Sequence, residues 1–170
     1  MIVGVGLGDG GEVFSRFGGS GEAAARAQRL DEVLDIITRL WAGEAVTHHS
    51  DHYQIDQFRL SARPVQQPRI PIWVGGDSPG ALRRAARWDG WIGPDDDPLN
   101  KTATDLVATR AELAAAGAKP GFDVAWASVS DATAASRVVD LEGAGGTWWI
   151  EPLFGSADNT LARIRKGPPR

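Results

Sequence analysis

The chain has 170 residues, 42% hydrophobic and 24% charged, the length and balance of one ordinary folded domain rather than a disordered or fibrous segment. A formal charge of −4, with the cations dispersed along helix-like stretches, argues against nucleic acid or an anionic membrane as partner. There is no cysteine, which excludes disulfides, thiolate nucleophiles and cysteine-ligated metals and fits a cytoplasmic protein, and no apolar run is long enough to span a bilayer.

The first residues, MIVGVGLGDGG, form an uncharged apolar run without the basic flank or long apolar centre of a signal peptide. Residues 2–7 are expected to be a core strand ending among Gly6, Gly8, Gly10 and Gly11. A core strand that begins at the first residue suggests sequence upstream. Residues 22–42 carry the clearest helical period, with Ala23, Ala27, Leu30, Val33 or Leu34, Ile37 and Trp41 at spacings of three and four. Ser20 is a candidate cap, Glu22 suits the positive end of the dipole, and Gly43 supplies the stop. Asp31, Glu32 and Asp35 flank the stripe and are expected mostly in solvent. Residues 44–69 read as irregular, with a short hairpin within GEAVTHHSDHYQI.

Residues 70–74 predict a strand, with Pro71 near its start where a missing N–H is tolerated. Ser78 and Pro79 fit the N-cap and first turn of a helix whose buried stripe is Leu82, Ala85 and Ala86. Asp89 is expected to fix the turn before a short strand at Trp91 and Ile92. A helix over 103–116, a strand over 122–129, an alanine-rich helix over about 131–141, a strand over 147–150 and a helix over 157–166 complete the order. Strands alternating with helices argue parallel βαβ units. About five strands suit an open sheet or the last part of a closed eight-stranded barrel.

The stretch IPIWVGGDSPGALRRAARWDGWIG is the strongest chemical signal. Gly75 and Gly76 after a strand let backbone approach a ligand. The helix that follows, entered through Asp77 and Ser78 with Gly80 and Ala81 in its first turn, points unpaired N–H groups at an anion. Ser78 is expected either to cap that helix or to donate its proton to a phosphate, not both. An ordinary strand-to-helix turn uses the same residue types. Three histidines, His48, His49 and His52, invite a metal reading, but no acidic or cysteine ligand stands with them on a rigid element, so a solvated or substrate-proximal loop accounts for them better. Asp95, Asp96 and Asp97 are likewise read as loop solvation or dipole complementarity, so no metal is expected. No Ser-His-Asp or paired-carboxylate set can be assembled, and catalytic residues are left unassigned.

The segments GVGLG (4–8), RAQRLDEVLDIITRLWAGEAVTHHSDHY (26–53), PVQQPRIPIWVGG (64–76), SPGALRRAARWDGWIG (78–93) and the tail RIRKGPPR, in this order and spacing, resemble the bacterial luciferase-like monooxygenases, the flavin- or F420-dependent oxidoreductases. The resemblance implies an α/β fold: a partial TIM-type (β/α)8 barrel, roughly strands four to eight, with an insertion after the first strand present. Residues 1–170 would then be a single luciferase-like domain, N-terminally truncated relative to the family. It also implies FMN or coenzyme F420 as cofactor, its phosphate held at Gly75, Gly76, Asp77, Ser78, Gly80 and Ala81, with Gly8 and Asp9 as further cofactor contacts near the flat ring. Asp9 stands where an aromatic residue is common in the family, and Ser50-Asp51 replaces a usual glycine turn. The implied partners are a small organic substrate, a second copy of the chain in a homodimer, and a flavin reductase where FMN is used. The chemistry belongs to the cofactor, positioned by the protein. The alternative is a non-catalytic barrel fragment or truncated product with at most a vestigial anion site.

Overall fold

The clearest helical period of the sequence becomes the longest helix of the protein, as seen in a computed structural model that describes residues 1–8, 11–94, 100–153 and 155–169. These residues form two compact units, Met1–Pro71 and Ile72–Arg170. The first contains strand β1 (Val3–Val5), helix α1 (Gly11–Arg16), helix α2 (Ala23–Trp41) and strands β2 (Val46–His49) and β3 (Gln54–Phe58). Helix α2 begins without a side-chain cap: Glu22 holds the N-cap position, and Ser20, two residues earlier, accepts the Glu22 N–H at 3.1 Å. It ends at Ala42, and Gly43 stops it as expected.

The buried face of α2 is displaced from the predicted stripe. Leu34, Ile36 and Leu40 are buried, Ile37 and Trp41 only half-buried, and Ala23 exposed. The cause is the antiparallel β2–β3 hairpin inside the stretch read as irregular: Val46, Tyr53, Ile55 and Leu60 close over Ile36 and Leu40. Helix α1 has no counterpart among the expected elements, being too short for a helical period to register. Its Phe14 ring lies under the Arg26 guanidinium, 5.1 Å from the ring centre, and the same arginine donates to the Leu7 carbonyl at 3.2 Å.

The second unit alternates β4 (Ile72–Gly75), α3 (Pro79–Ala85), β5 (Gly90–Gly93), α4 (Ala103–Ala115), β6 (Asp123–Ala127), α5 (Ala134–Gly143), β7 (Trp148–Ile150) and α6 (Ala157–Lys166). Its strands pair in parallel, β4 with β5, β5 with β6 and β6 with β7, which requires a crossover after each. Alternation puts Ile72, Val74, Trp91, Val124 and Trp126 on one face, all buried, where α3 packs on β4, β5 and α4, and α4 on α5. Leu82, Ala85 and Ala86 are buried from α3, and Leu106 and Leu113 from α4. On the opposite face the Trp73 and Trp148 rings meet edge to face, 5.4 Å apart.

Asp89 does fix its turn, and more. Its carboxylate accepts the Ile72 N–H at 2.7 Å, its own N–H donates to the Ile72 carbonyl at 3.0 Å, and its carbonyl accepts the Asp123 N–H at 2.9 Å. One residue thus binds the starts of β4, β5 and β6. The result is a parallel sheet with a helix after every strand, the unit from which (β/α) barrels are built. Among the described residues no helix is long and apolar enough to cross a membrane.

Candidate functional site

Parallel α/β sheets bind ligands at the C-terminal ends of their strands, because loops and helix N-termini gather there. In the second unit that rim consists of Gly75-Gly76 after β4, Gly93-Pro94 after β5, Ser128 to Ser130 after β6 and Glu151 after β7.

At the β4–α3 turn, Gly76 adopts φ +113°, a conformation that L side chains rarely take, and a Cβ there would lie 3.1 Å from the Ala81 Cβ. Its carbonyl accepts the Trp91 indole N–H at 2.9 Å, which ties the turn to β5. Ser78 is the N-cap of α3, as expected, and its Oγ accepts the Ala81 N–H at 3.2 Å. The cap therefore uses an oxygen lone pair, and among the described residues the hydroxyl proton has no hydrogen-bond acceptor. The expected competition between capping and donating to a ligand does not arise. It is the Ala81 amide that the cap consumes.

Asp77 turns toward the helix-covered side. It lines a cavity of about 190 Å3 with Leu82, Trp91, Pro94, Lys101 and Asp105, and its Oδ1 lies 2.8 Å from where a Cβ on Gly93 would stand. Gly75, Gly76, Asp77, Ser78, Gly80 and Ala81 thus run from the end of β4 through the turn into the first turn of α3. Gly8 belongs to the first unit, where it has φ +75° and a Cβ would meet the Phe14 ring at 2.6 Å. Packing against Phe14 accounts for that glycine locally. Asp9 lies outside the described residues, as do Asp95, Asp96 and Asp97.

Two carboxylates that no local sequence pattern marks as structural organise their surroundings. Glu32, expected in solvent, is only 15% exposed at its side chain. It accepts from the Ser50 hydroxyl at 2.6 Å and contacts His52 Nδ1 at 2.9 Å and His48 Nε2 at 3.3 Å. The Ser50 and His52 hydrogen bonds hold its carboxyl down at about 2, against a smaller opposing effect of burial. His49 pairs instead with Asp56 at 2.7 Å. Two of the three histidines are therefore partners of a helix carboxylate. Among the described residues no cluster of histidine, aspartate and glutamate is arranged to hold a metal ion.

The second carboxylate is Glu151 on the rim. Arg163 grips it bidentately, Nε to Oε1 at 2.8 Å and Nη2 to Oε2 at 3.0 Å. The Ser130 N–H and the Trp149 indole N–H donate to it at 2.9 and 3.0 Å. Burial alone would raise its pKa, but the Arg163 and Ser130 hydrogen bonds outweigh burial and bring it to about 2. Close by, the buried Ser128 hydroxyl accepts from Arg137 at 3.0 Å.

A family model described as luciferase-like monooxygenase matches residues 1–141. An uncharacterised protein of Mycobacterium tuberculosis is 37% identical over 103 residues, covering 59% of this chain and 34% of that protein. The F420-dependent hydroxymycolic acid dehydrogenase of the same organism is 33% identical over 126 residues, covering 71% of this chain and 34% of that enzyme. The chain thus spans about a third of the length of the curated relatives it matches. Among solved structures, an F420-dependent secondary alcohol dehydrogenase in complex with an F420–acetone adduct superposes with a TM-score of 0.59 at 16% identity, covering 97% of this chain and 59% of that one. At that identity the likeness concerns the fold alone.

Proposed function

The chain belongs to the luciferase-like monooxygenase family, and on that premise we propose that it is the cofactor-phosphate-bearing part of an oxidoreductase that uses F420 or reduced FMN on a small organic substrate. The proposed architecture is a portion of a (β/α)8 barrel, roughly strands four to eight. The β2–β3 hairpin lies within the insertion that follows the first strand present.

The observation that carries the reading is the β4–α3 turn. Gly76 at φ +113°, with a Cβ position 3.1 Å from the Ala81 Cβ, keeps the turn free of a side chain, and Ser78 keeps a hydroxyl proton for an anion while capping α3. Gly75, Gly76, Ser78 and Gly80 would form the seat, with Ala81 behind it, its amide held by the Ser78 cap, at the positive end of α3. Asp77 would act from the other side: its carboxylate, turned into the cavity that Lys101 also lines, is directed away from an incoming phosphate. The Trp91 hydrogen bond holds the Gly76 carbonyl still, so the turn is organised before a ligand arrives. When bound, F420 supplies hydride transfer and reduced FMN supplies oxygen chemistry; the protein's contribution is orientation and exclusion of water. The F420 dependence of a relative 33% identical over 71% of this chain favours F420 as the first cofactor to test.

The second reading is a non-catalytic portion of a barrel that keeps only an anion seat. The share of the relatives that the chain spans, 34%, favours giving it a test of its own. Titration of the chain with F420 and with FMN, followed by cofactor fluorescence or calorimetry, separates the two. Micromolar or tighter binding of one cofactor, weakened about tenfold or more in Gly76→Asp with the circular dichroism unchanged, supports the seat; tenfold corresponds to about 1.4 kcal/mol. Binding of inorganic phosphate alone supports the second reading. Absence of binding by either cofactor at about 100 μM, roughly 5.5 kcal/mol of affinity, overturns the first.

A further inference from the structure

Helix α6 is held to its unit unlike the helices before it. Helix α3 buries Ala81, Leu82, Arg84 and Ala85, α4 buries Leu106 and Leu113, and α5 buries Ala134 and Leu141. Helix α6 buries none of its residues, and its apolar pair Leu161 and Ile164 is 47% and 56% exposed. Among the described residues, the side-chain hydrogen bonds and ion pairs that join α6 to the rest of the unit are all made by Arg163. Its guanidinium spans both oxygens of Glu151 and also donates to the Ser130 hydroxyl at 2.5 Å. Ser130 and Glu151 stand just past the ends of β6 and β7.

The receiving half of this contact is built independently of the helix. The Ser130 N–H and the Trp149 indole N–H also hold the Glu151 carboxylate, both from residues outside the helix. The giving half is not. A helix of ten residues is marginal in water by itself, because nucleation is costly and few hydrogen bonds offset it. Arg163 also donates to the Gly167 carbonyl, closing the end of its own helix. With no α6 residue fully buried, its polar docking rests on one arginine, paired bidentately with Glu151 and bonded to Ser130.

We infer that α6 is a strap latched to the sheet rim by Arg163 on Glu151, and that it undocks and melts as a unit while α3, α4 and α5 stay folded. Undocking uncovers the rim at Ser130 and Glu151. The inference is independent of the cofactor reading, since neither residue belongs to the proposed phosphate seat.

Hydrogen exchange of the full chain, read by mass spectrometry, tests it. Amides of 157–166 are expected to exchange at least about tenfold faster than those of 103–115, as a sub-global opening does. Glu151→Gln is expected to speed 157–166 severalfold further and leave 103–115 unchanged. Arg163→Lys, which keeps the charge but loses the fork, is expected to do the same and decides the matter should Glu151→Gln fail to fold. The double variant is expected to be no faster than the faster single one, because both remove one latch. Exchange of 157–166 as slow as that of 103–115 overturns the inference. So do uniform acceleration of both helices in the variants, and additive effects in the double variant.

Discussion

Gly76 concentrates three constraints at one Cα: φ +113°, a Cβ position 3.1 Å from Ala81, and a carbonyl fixed by Trp91. Gly76→Ala introduces strain without charge, so it is expected to lower stability by about 1–3 kcal/mol, measured as a fall in thermal midpoint. Its loss of cofactor affinity is expected to be smaller than that of Gly76→Asp, which adds like charge against a phosphate. Equal losses would mean that shape alone matters at the turn. This turn was legible in the sequence because all its determinants lie within a few residues: two glycines, a Ser-Pro cap and a β-branched run before them. Glu32 and Glu151 were not legible. Glu32 finds its partners 16 to 20 residues away and Glu151 finds them 12 to 21 away, apart from Trp149, so no local pattern announces either. A carboxylate on a helix flank looks solvated until the hairpin that covers it is known.

Elements whose ends are written locally were read with little error. The sequence reading of α6, 157–166, matches Ala157–Lys166, and α3 starts at its Ser-Pro signal. Helix α2 was found, but its buried face was not, because the β2–β3 hairpin draws Ile36 and Leu40 inward by a contact invisible to periodicity. In the sheet, three strands converge on Asp89. Asp89→Ala would leave the Ile72 N–H without its 2.7 Å acceptor, at a cost of about 1–3 kcal/mol, and a urea melt is expected to show a lower midpoint with an unchanged slope. A change in slope would indicate that the strand starts are held by something other than this carboxylate.

For the molecule as a whole, both units carry acidic groups tuned in the same direction. Glu32 in the first unit, and Asp131 and Glu151 in the second, are each held down at about 2 by their hydrogen bonds, below their ordinary values of 4.5, 3.8 and 4.5. For Asp131 the cause is hydrogen bonding to Thr133 and Arg137. A carboxyl with a depressed folded pKa contributes stability that is complete above its unfolded value and is lost as pH falls through the folded one. The thermal midpoint is therefore expected to be flat from pH 7 to about 5 and to drop between about 4.5 and 2. Glu32→Gln and Glu151→Gln should each make that acid limb shallower, and a limb unchanged in both would assign it to other groups. The parallel pairing of β4 to β7 was legible from alternation, since helix crossovers join parallel strands, but their sequential order was not, because open doubly wound sheets share the same alternation.

The placement of Asp89 separates two ends of the sheet. Its hydrogen bonds secure the edge where β4, β5 and β6 begin, while the glycine turn and Ser130 stand where β4 and β6 finish. On the proposed reading of the glycine turn, cohesion and recognition would stand at opposite poles, as in barrel folds generally. Substitutions at the recognition pole can change what is bound without slackening the other pole, which gives this architecture latitude to acquire new ligands in small steps.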